Sequence, residues 1–351
     1  MDINIQSKIE KKSTIIKSSI KKSAVDRPVP FVEMKFNMAQ ISDLLGVAKS
    51  SVYNLEKEGQ IKSVAEPYGH GERRIYSWEE FAIIARRFRN RIPKPLANKV
   101  KVFANLKGGV GKSTIATQMA MTGAAWGFNV LAIDLDPQAN MTMGLAGLSI
   151  AREDQATVRE ILIERKAFKE VVKVLTPLLS LIPANLNLSS LERKLASENN
   201  RDKRLKQFLD SIRDQYDLII IDTSPAASLV NVNAFVAADE ICVVSATEYL
   251  STAGLTSFFE LLEDLQNDFG IEPSVRIIPN QFDVRNGMDQ ESLGLLRRDW
   301  SEYLVTSVIR KNVDIREAHK LRQPLWAYKK SSAGSEDLNL LANELFNEPG
   351  N

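Results

Sequence analysis

The sequence VFANLKGGVGKST occupies residues 102–114, where an apolar run leads into Lys-Gly-Gly-Val and then into Gly-Lys-Ser-Thr. The apolar run predicts a buried strand, and a helical pattern follows over residues 114–126. A glycine-rich turn between a strand and a helix lets backbone N–H groups surround phosphate oxygens, and the helix N-terminus adds positive potential. We therefore expect this segment to bind the phosphates of a nucleotide.

Two side chains of the loop have predicted roles. Lys112 is expected to neutralise the β- and γ-phosphates, and the Ser113 hydroxyl is expected to bind Mg²⁺. The sequence departs from the standard P-loop pattern because Leu106 occupies the place of the first glycine and Lys107 comes next. The predicted phosphate-binding residues are Lys107, Gly108, Gly109, Val110, Gly111, Lys112, Ser113 and Thr114.

Strand and helix patterns alternate along the rest of the chain. Apolar runs lie at residues 100–104, 130–133, 179–182, 218–221, 241–245 and 275–278. Helical patterns lie between them, at residues 114–126, 204–214, 252–265 and 291–300. This alternation predicts an α/β fold, a P-loop NTPase whose mostly parallel sheet is flanked by helices.

Carboxylates follow two of the predicted strands. Asp134 and Asp136 end the run VLAIDLD at residues 130–136, and Asp222 ends the run LIIID at residues 218–222. Ligands bind at the carboxyl ends of parallel strands, so these side chains are expected near the phosphates. Asp222 completes a Walker B pattern, in which the aspartate holds Mg²⁺, often through water. A buried structural pair is the alternative for Asp134 and Asp136.

The first hundred residues differ in charge from the rest. They hold 19 Lys and Arg against 11 Asp and Glu, whereas the remainder holds 27 against 33. A basic segment joined to a mildly acidic body favours a nucleic-acid-binding module. We predict a basic N-terminal arm over residues 1–30, a DNA-binding domain over 31–92, a linker over 93–99 and the NTPase domain over 100–351.

The segment MAQISDLLGVAKSSVYNLEKEGQIK at residues 38–62 has the pattern of a helix–turn–helix. Gly46 separates two apolar helical stripes, and Gly59 ends the second. An ordinary helical hairpin is the alternative. The second helix presents the candidate DNA-contacting residues Lys49, Ser50, Ser51, Tyr53 and Asn54.

The stretch GERRIYSWEEF at residues 71–81 resembles the strand-and-helix wing that follows a MerR-type helix–turn–helix. Arg73 and Arg74 are expected to meet backbone phosphates there. A helix after the wing carries four more arginines, which are expected to face phosphate or, failing that, solvent: Arg86, Arg87, Arg89 and Arg91.

Lys107 and the loop after it, KGGVGKST, resemble the deviant Walker A box of the ParA/MinD family of ATPases. This resemblance implies a homodimer in which Lys107 reaches the nucleotide of the partner subunit. It also implies that Asp136 orients the attacking water, that Asp134 lies near the metal and that Asn280 reads adenine. ATP or ADP and Mg²⁺ are the implied ligands.

A helix–turn–helix joined to such an ATPase resembles the larger ParA proteins of plasmid-type partition systems. The resemblance implies an ATP-dependent dimer that binds DNA without sequence preference and a ParB-type partner that stimulates hydrolysis. It also implies that the N-terminal domain binds and represses the partition operator, in relatives preferentially with ADP. The rival functions are a nucleotide-sensing transcription regulator without a segregation role, a MinD-like membrane-bound ATPase and a cysteine-bridged metal-delivery relative.

The membrane-bound and the cysteine-bridged rivals lack their sequence signals, whereas the transcription regulator stays open. The C-terminal helical segment is acidic rather than rich in Lys and Arg, and Cys242 is the only cysteine. We expect a cytoplasmic protein associated with the nucleoid, with no membrane partner. Non-specific DNA binding is expected from a basic run in the body: Arg297, Arg298, Arg310, Lys311, Arg316, Lys320, Arg322, Lys329 and Lys330.

Overall fold

A computed structural model describes residues 29–69, 71–89, 99–247 and 251–347. Residues 29–89 are called the head below, and residues 99–347 the body. The predicted N-terminal arm falls outside the described residues except for Val29 and Pro30, and so does the predicted linker except for Lys99. Lys99 was expected to end the linker but is the first residue of a strand, because its backbone pairs with Leu218.

The described part of the body contains a seven-stranded sheet. Its strands are β4 (Lys99–Ala104), β5 (Val130–Asp134), β6 (Lys173–Thr176), β7 (Leu179–Ile182), β8 (Leu218–Asp222), β9 (Glu240–Ala246) and β10 (Ser274–Asn280). The spatial order is β10-β9-β4-β8-β5-β7-β6, and every neighbouring pair is parallel except β6 and β7. The predicted mostly parallel α/β sheet is therefore confirmed.

Helices cover both faces of this sheet, and the residues buried between helices and sheet form one hydrophobic cluster on each face. Their bounds are α4 (Lys112–Ala125), α5 (Asn140–Ala146), α6 (Val158–Leu162), α7 (Phe168–Val171), α8 (Leu191–Ala196), α9 (Arg204–Asp210), α10 (Leu229–Ala237), α11 (Ser251–Phe269), α12 (Gly287–Asp299), α13 (Val313–Lys320), α14 (Leu325–Tyr328) and α15 (Ala333–Phe346). All five residues of β8 are buried, which a strand covered on both faces requires and its apolar sequence allows.

Two local predictions differ from the structure. Strand β6 was not predicted, because its sequence KVLT is only four residues long and, at the sheet edge, only Thr176 is fully buried. The helix predicted over residues 204–214 ends at Asp210, and a 3₁₀ turn, Arg213–Gln215, replaces its last part. The turn brings the chain into β8, where Asn129 Nδ2 donates to the carbonyl of Gln215.

The head combines three helices with a small antiparallel sheet. The strands are β1 (Phe36–Asn37), β2 (Val64–Tyr68) and β3 (Gly71–Tyr76), in the order β1-β3-β2, and the helices are α1 (Met38–Leu45), α2 (Lys49–Lys57) and α3 (Trp78–Arg87). Gly46 adopts a left-handed φ of +63° at the turn between α1 and α2. Capping boxes begin α1 at Asn37 and α3 at Ser77. The two-helix geometry predicted for residues 38–57 is thus present.

The head packs directly on the body. Phe31, at the start of the head, belongs to the same hydrophobic cluster as Met119 and Leu145 of the body. Arg86 donates to the carbonyl of Pro177 at 3.3 Å, and Arg89 forms an ion pair with Asp217. These two arginines were expected to face phosphate or solvent, and both are exposed; whether they meet phosphate stays a prediction, and Arg91 of the same set lies outside the described residues.

No helix in the described ranges is long and apolar enough to cross a membrane.

His319 is a partly buried histidine that links two helices of the body. Its imidazole donates a hydrogen bond to the backbone of Asn140, at the start of α5. A Cβ added to Gly144 would lie 2.8 Å from Nδ1 and 2.9 Å from Nε2 of the ring, so only glycine permits this approach. Burial lowers the pKa of His319 below its usual value near 6.5.

This lowered pKa predicts a loss of stability in acid. The unfolded chain binds a proton near pH 6.5 and the folded chain only at lower pH, so folding is penalised as the pH falls below that value. Urea unfolding from about pH 7.5 to about pH 5.5 should show a smaller fall in the free energy of unfolding for His319→Gln than for wild type. Equal slopes would contradict this role for His319.

Candidate functional site

The glycine-rich loop follows β4 and has a left-handed backbone at two glycines. Gly109 and Gly111 have φ values of +79° and +87°, and Gly111 is the N-cap of α4. Side chains from the end of β10 support the loop: Asn280 Nδ2 donates to the carbonyl of Val110 at 2.7 Å, and Gln281 Nε2 donates to that of Gly109 at 2.9 Å. These two hydrogen bonds fix the loop carbonyls of Val110 and Gly109; that the loop, called the cradle below, binds phosphate stays a prediction.

A buried ion pair lies directly under the loop. Lys112 Nζ lies 2.7 Å from Oδ1 of Asp222 and also donates to the carbonyl of Thr223. The Lys112 side chain is 6% exposed and that of Asp222 is fully buried. The sequence placed both residues at this edge of the sheet, and the structure brings them into contact.

Asp222 retains bonding capacity that the described residues do not use. Its second carboxylate oxygen, Oδ2, is buried and has no hydrogen-bond partner among them. Leaving a buried carboxylate oxygen unsatisfied is costly, and such atoms mark places where an ion or water binds. The orphaned oxygen fits the Mg²⁺ role predicted for Asp222.

The two carboxylates after β5 have different environments. Asp134 is fully buried; its Oδ1 accepts from the N–H of Asp136 at 3.0 Å, and its Oδ2 accepts from the N–H and the hydroxyl of Thr142, both at 2.8 Å. Burial, and then the negative charge of Asp222, raises the pKa of Asp134 well above the ordinary aspartate range. With both oxygens occupied, Asp134 is a fixed support at the sheet edge.

Asp136 is less enclosed. One of its oxygens accepts from the N–H of Gln138 at 2.9 Å, and among the described residues none donates a hydrogen bond to the other. Burial is the main cause that raises the pKa of Asp136, while the Gln138 N–H and the charge of Lys112 act in the opposite direction. An aspartate with a spare oxygen beside a phosphate cradle suits the positioning of a water molecule.

Protein side chains alone do not build a metal site here. Among the described residues, no group of three His, Cys, Asp or Glu side chains is placed to hold an ion. Mg²⁺ usually binds proteins through one or two carboxylates, with phosphate oxygens and waters completing six ligands. The orphaned oxygen of Asp222 therefore fits Mg²⁺ that arrives with a nucleotide.

The remaining predicted residues lie around the same cradle. Lys107 is exposed, and its backbone N–H donates to Oδ1 of Asn105 at 2.7 Å. Ser113 and Thr114, in the first turn of α4, are partly buried. Asn280 is 5% exposed and contacts the loop itself; whether it also reads adenine stays a prediction.

Sequence reasoning missed two supporting residues. Thr142 holds Asp134 and also accepts from the N–H of Ala184 at 2.9 Å, so it ties β5 to the segment after β7. Gln281 holds the loop carbonyl of Gly109 from a backbone with φ of +61°. Gln281 directly follows a predicted site residue, so the sequence pattern could have indicated it. No local sequence pattern indicates a role for Thr142.

Comparisons with known proteins place this site in a family. A family model described as an AAA domain matches residues 98–277. The chromosome-partitioning ATPase Soj of Treponema pallidum is 31% identical over 255 residues, which covers 72% of this chain and 98% of the relative. The chromosome partitioning protein ParA of Caulobacter vibrioides is 32% identical over 253 residues, 71% of this chain and 94% of the relative.

The chain belongs to the ParA family of partition ATPases. Solved structures share its fold. A plasmid partition protein of Borrelia burgdorferi bound to AMPPNP has a TM-score of 0.60 at 22% identity and covers 70% of this chain and 97% of that one. Cobyrinic acid a,c-diamide synthase of Mycobacterium smegmatis, with ADP and magnesium, has a TM-score of 0.60 at 24% identity over 70% and 93% of the two chains.

The family match begins at residue 98, so the head of this ParA-family chain lies outside it. On α2 the side chains predicted to contact DNA form an outward surface: Lys49, Ser50, Tyr53 and Asn54 are exposed, and Ser51 is partly buried. Val52 and Leu55 point into the head core. The helix therefore presents the predicted polar set to solvent, and its role in binding DNA stays a prediction.

The hairpin arginines are paired within the head. Arg74 lies 2.8 Å from Oε2 of Glu56 and places its guanidinium 5.2 Å from the ring centre of Tyr53, so it ties the hairpin to α2. Arg73 lies 5.1 Å from the ring centre of Tyr68 and 3.7 Å from Glu66. Both remain exposed, but part of the charge predicted to meet phosphate is already neutralised.

The basic run of the body is also partly neutralised. Arg298, Arg310, Lys329 and Lys330 form ion pairs with acidic side chains, and Arg322 packs on Gly147. The other members of the predicted set, all exposed, are Arg297, Lys311, Arg316 and Lys320. The predicted concentration of positive charge is therefore weaker than the sequence indicates.

The two left-handed loop glycines should respond differently to alanine. A Cβ on Gly109 meets nothing within 4 Å, so Gly109→Ala should cost only the left-handed backbone strain, about 1–2 kcal/mol. A Cβ on Gly111 would lie 2.5 Å from Nδ2 of Asn280, so Gly111→Ala should cost more. Denaturant unfolding measures both.

Asn280→Ala supplies the matched test of the steric cause. Combined with Gly111→Ala it should bring the loss of stability close to the sum of the backbone strain and the cost of Asn280→Ala alone. If Gly111→Ala and Gly109→Ala were equally destabilising, the contact between the loop and Asn280 would not constrain the site.

Proposed function

We propose that this chain hydrolyses ATP to ADP and phosphate at the loop of residues 107–114 and uses the cycle for DNA partition. The observation that carries the proposal is the buried contact between Lys112 and Asp222 beneath the cradle, with one Asp222 oxygen unsatisfied. Family membership supports the same activity.

Binding is proposed to exchange the partners of this ion pair. Lys112 turns from Asp222 to the β- and γ-phosphates, while the loop N–H groups and the N-terminus of α4 bind the remaining phosphate oxygens. Asp222 and the Ser113 hydroxyl would hold Mg²⁺, which would supply positive charge beside the phosphates. Lys112 and Asp222 would thus each keep an opposite charge before and after binding.

Asp136 is proposed to position the attacking water. Its spare oxygen accepts a hydrogen bond from that water, while Asp134, held by Thr142, fixes the backbone from which Asp136 projects. Asn280 is proposed to contact the base, because it stands at the end of β10 against the loop.

The exposed position of Lys107 supports a role between subunits. We propose that two copies face each other across their nucleotides and that Lys107 of each reaches the phosphates of the other, where the dimer excludes water. The ATP-bound dimer then binds DNA without sequence preference on the nucleoid, and a ParB-type protein stimulates hydrolysis and release. The head is proposed to bind and repress the partition operator through α2.

Asp136→Ala tests the catalytic assignment. Turnover should fall by about 100-fold or more because the water loses its orienting carboxylate, while ATP affinity should change little because Asp136 is not needed to hold phosphate. Asp154→Ala, at an exposed aspartate paired with Arg152, is the control and should hydrolyse ATP like wild type.

Steady-state turnover and equilibrium nucleotide binding decide the outcome. Normal turnover in Asp136→Ala would move the role to another residue. Nucleotide binding by the wild type without turnover, even with DNA and a ParB partner present, would favour the alternative function, a nucleotide-sensing transcription regulator. The direct contact of the head with the body is the observation that favours this alternative.

Replacing Ser51 and Asn54 of α2 by alanine tests the head. Operator affinity should fall by about 1–3 kcal/mol for a lost base contact, because short polar side chains on this helix suit base edges. ATP-dependent binding to random DNA should survive, since the body is proposed to supply it. Titration against both DNAs checks this, and an unchanged operator preference would show that α2 is not the reading helix.

A further inference from the structure

Residues 321–325, called the joint below, connect α13 to α14 and touch both the phosphate-loop helix and the head. On the side of α4, Gln118 uses both ends of its amide: Nε2 donates to the carbonyl of Gln323 at 3.0 Å, and Oε1 accepts from the N–H of Leu325 at 2.8 Å. Gln118 is 1% exposed and lies on the helix that begins at Lys112. The joint is therefore fixed to the helix that would receive the phosphates.

The head is fixed to the same joint. The N–H of Phe31 donates to the carbonyl of Arg322 at 2.7 Å, and Nε2 of Gln323 donates to the carbonyl of Val29 at 2.5 Å. Phe31 is fully buried and meets Trp78 edge-on at 4.8 Å, and the Trp78 indole N–H donates to the Phe31 carbonyl at 2.9 Å. A movement of the Arg322 carbonyl would thus reach the aromatic core of the head.

Helix α5 supplies the third contact with the joint. It begins at Asn140, four residues after Asp136, and its Thr142 is bonded to Asp134. At its far end the Arg322 guanidinium lies over Gly147, where an added Cβ would sit 2.9 Å from Nη1, and Nη1 reaches the carbonyl of Ala146 at 3.5 Å. The Arg322 side chain therefore contacts α5, while the backbone carbonyl of the same residue accepts a hydrogen bond from the head.

The backbone of Arg322 is in an uncommon conformation. Its φ is +58°, a left-handed value that costs a residue with a side chain about 1–2 kcal/mol and persists where surrounding contacts impose it. The contacts that impose it come from α5, α4 and the head. If α5 shifts when a nucleotide occupies the site, the Arg322 guanidinium loses its contacts with the end of α5. The Arg322 backbone can then relax to a right-handed conformation.

We propose that Arg322 couples the nucleotide site to the head, by holding its carbonyl toward Phe31 in one nucleotide state and releasing it in the other. The inference rests on the proposed function, because it requires nucleotide binding at the loop. The coupling regulates that site, because nucleotide occupancy changes how firmly the head is docked on the body. By linkage, a ligand that prefers one docking state of the head changes nucleotide affinity by the same factor.

Hydrogen exchange at Phe31 measures this coupling directly, without DNA. In the full-length wild-type chain, saturation with ADP or with a non-hydrolysable ATP analogue should change exchange at the Phe31 amide by about fivefold or more, the lower range of coupling between sites. In Arg322→Ala the change should vanish, while nucleotide affinity should differ from wild type by no more than the same factor of about five, because Arg322 does not touch the loop and acts only through the coupling.

Arg165→Ala is the matched control. Arg165 also has a left-handed φ, +57°, but it is exposed between α6 and α7, so the same substitution carries the same backbone strain without touching the joint. It should respond to nucleotide like wild type. Arg322→Gly is the second variant: glycine accepts the left-handed backbone without strain, so the protein stays folded and only the guanidinium is lost.

The outcomes separate the two proposals. An undiminished nucleotide response in both Arg322→Ala and Arg322→Gly would overturn the coupling role of Arg322. Nucleotide binding by wild type with no change at Phe31 would overturn coupling through the joint and leave the ATPase proposal intact. A wild type that binds no nucleotide would overturn both.

Discussion

The buried contact between Lys112 and Asp222 organises this molecule. A lysine and an aspartate removed from water are costly unless each keeps its partner, so the loop after β4 and the end of β8 must stay in register. That register is set by the parallel pairing of the two strands, from Lys99 opposite Leu218 to Phe103 opposite Asp222. The sheet therefore holds the positive charge of Lys112 and the negative charge of Asp222 together at its carboxyl edge.

The carboxyl edge of the sheet also brings two negatively charged side chains close together. Asp134 and Asp222 are direct neighbours across β5 and β8, and their proximity contributes to the raised pKa of Asp134. Thr142 and the backbone of Asp136 offset part of this cost by donating three hydrogen bonds to Asp134. A polyanion arriving with Mg²⁺ brings its own counter-charge, so the site suits a metal-bound nucleotide better than a bare anion.

The docking of the head has a different basis. Its contacts with the body combine an apolar cluster with backbone hydrogen bonds at Phe31 and Val29 and with the arginines at the end of α3. The docking surface is formed by α5 and by residues 321–325, which also touch the carboxylates and the phosphate-loop helix. The head therefore lies close to the phosphate loop and its carboxylates in the fold, although the two lie far apart in the sequence.

The sequence by itself determined the α/β class, six of the seven strands, the phosphate loop and the carboxylates, because each is encoded in a short, local pattern. The run LIIID shows both that β8 is buried and that Asp222 stands at its end. Edge strand β6 was not predicted, because a half-exposed strand lacks a continuous run of apolar residues.

Tertiary structure alone decided which distant side chains meet. Thr142 on Asp134, Gln118 on the 321–325 turn and Arg86 on Pro177 join segments 8, 205 and 91 residues apart. A hydrogen bond across such a separation leaves no periodicity in the sequence, since it depends on how whole elements pack. For the same reason the sequence did not indicate that Arg86 and Arg89, expected to face phosphate or solvent, also contact the body.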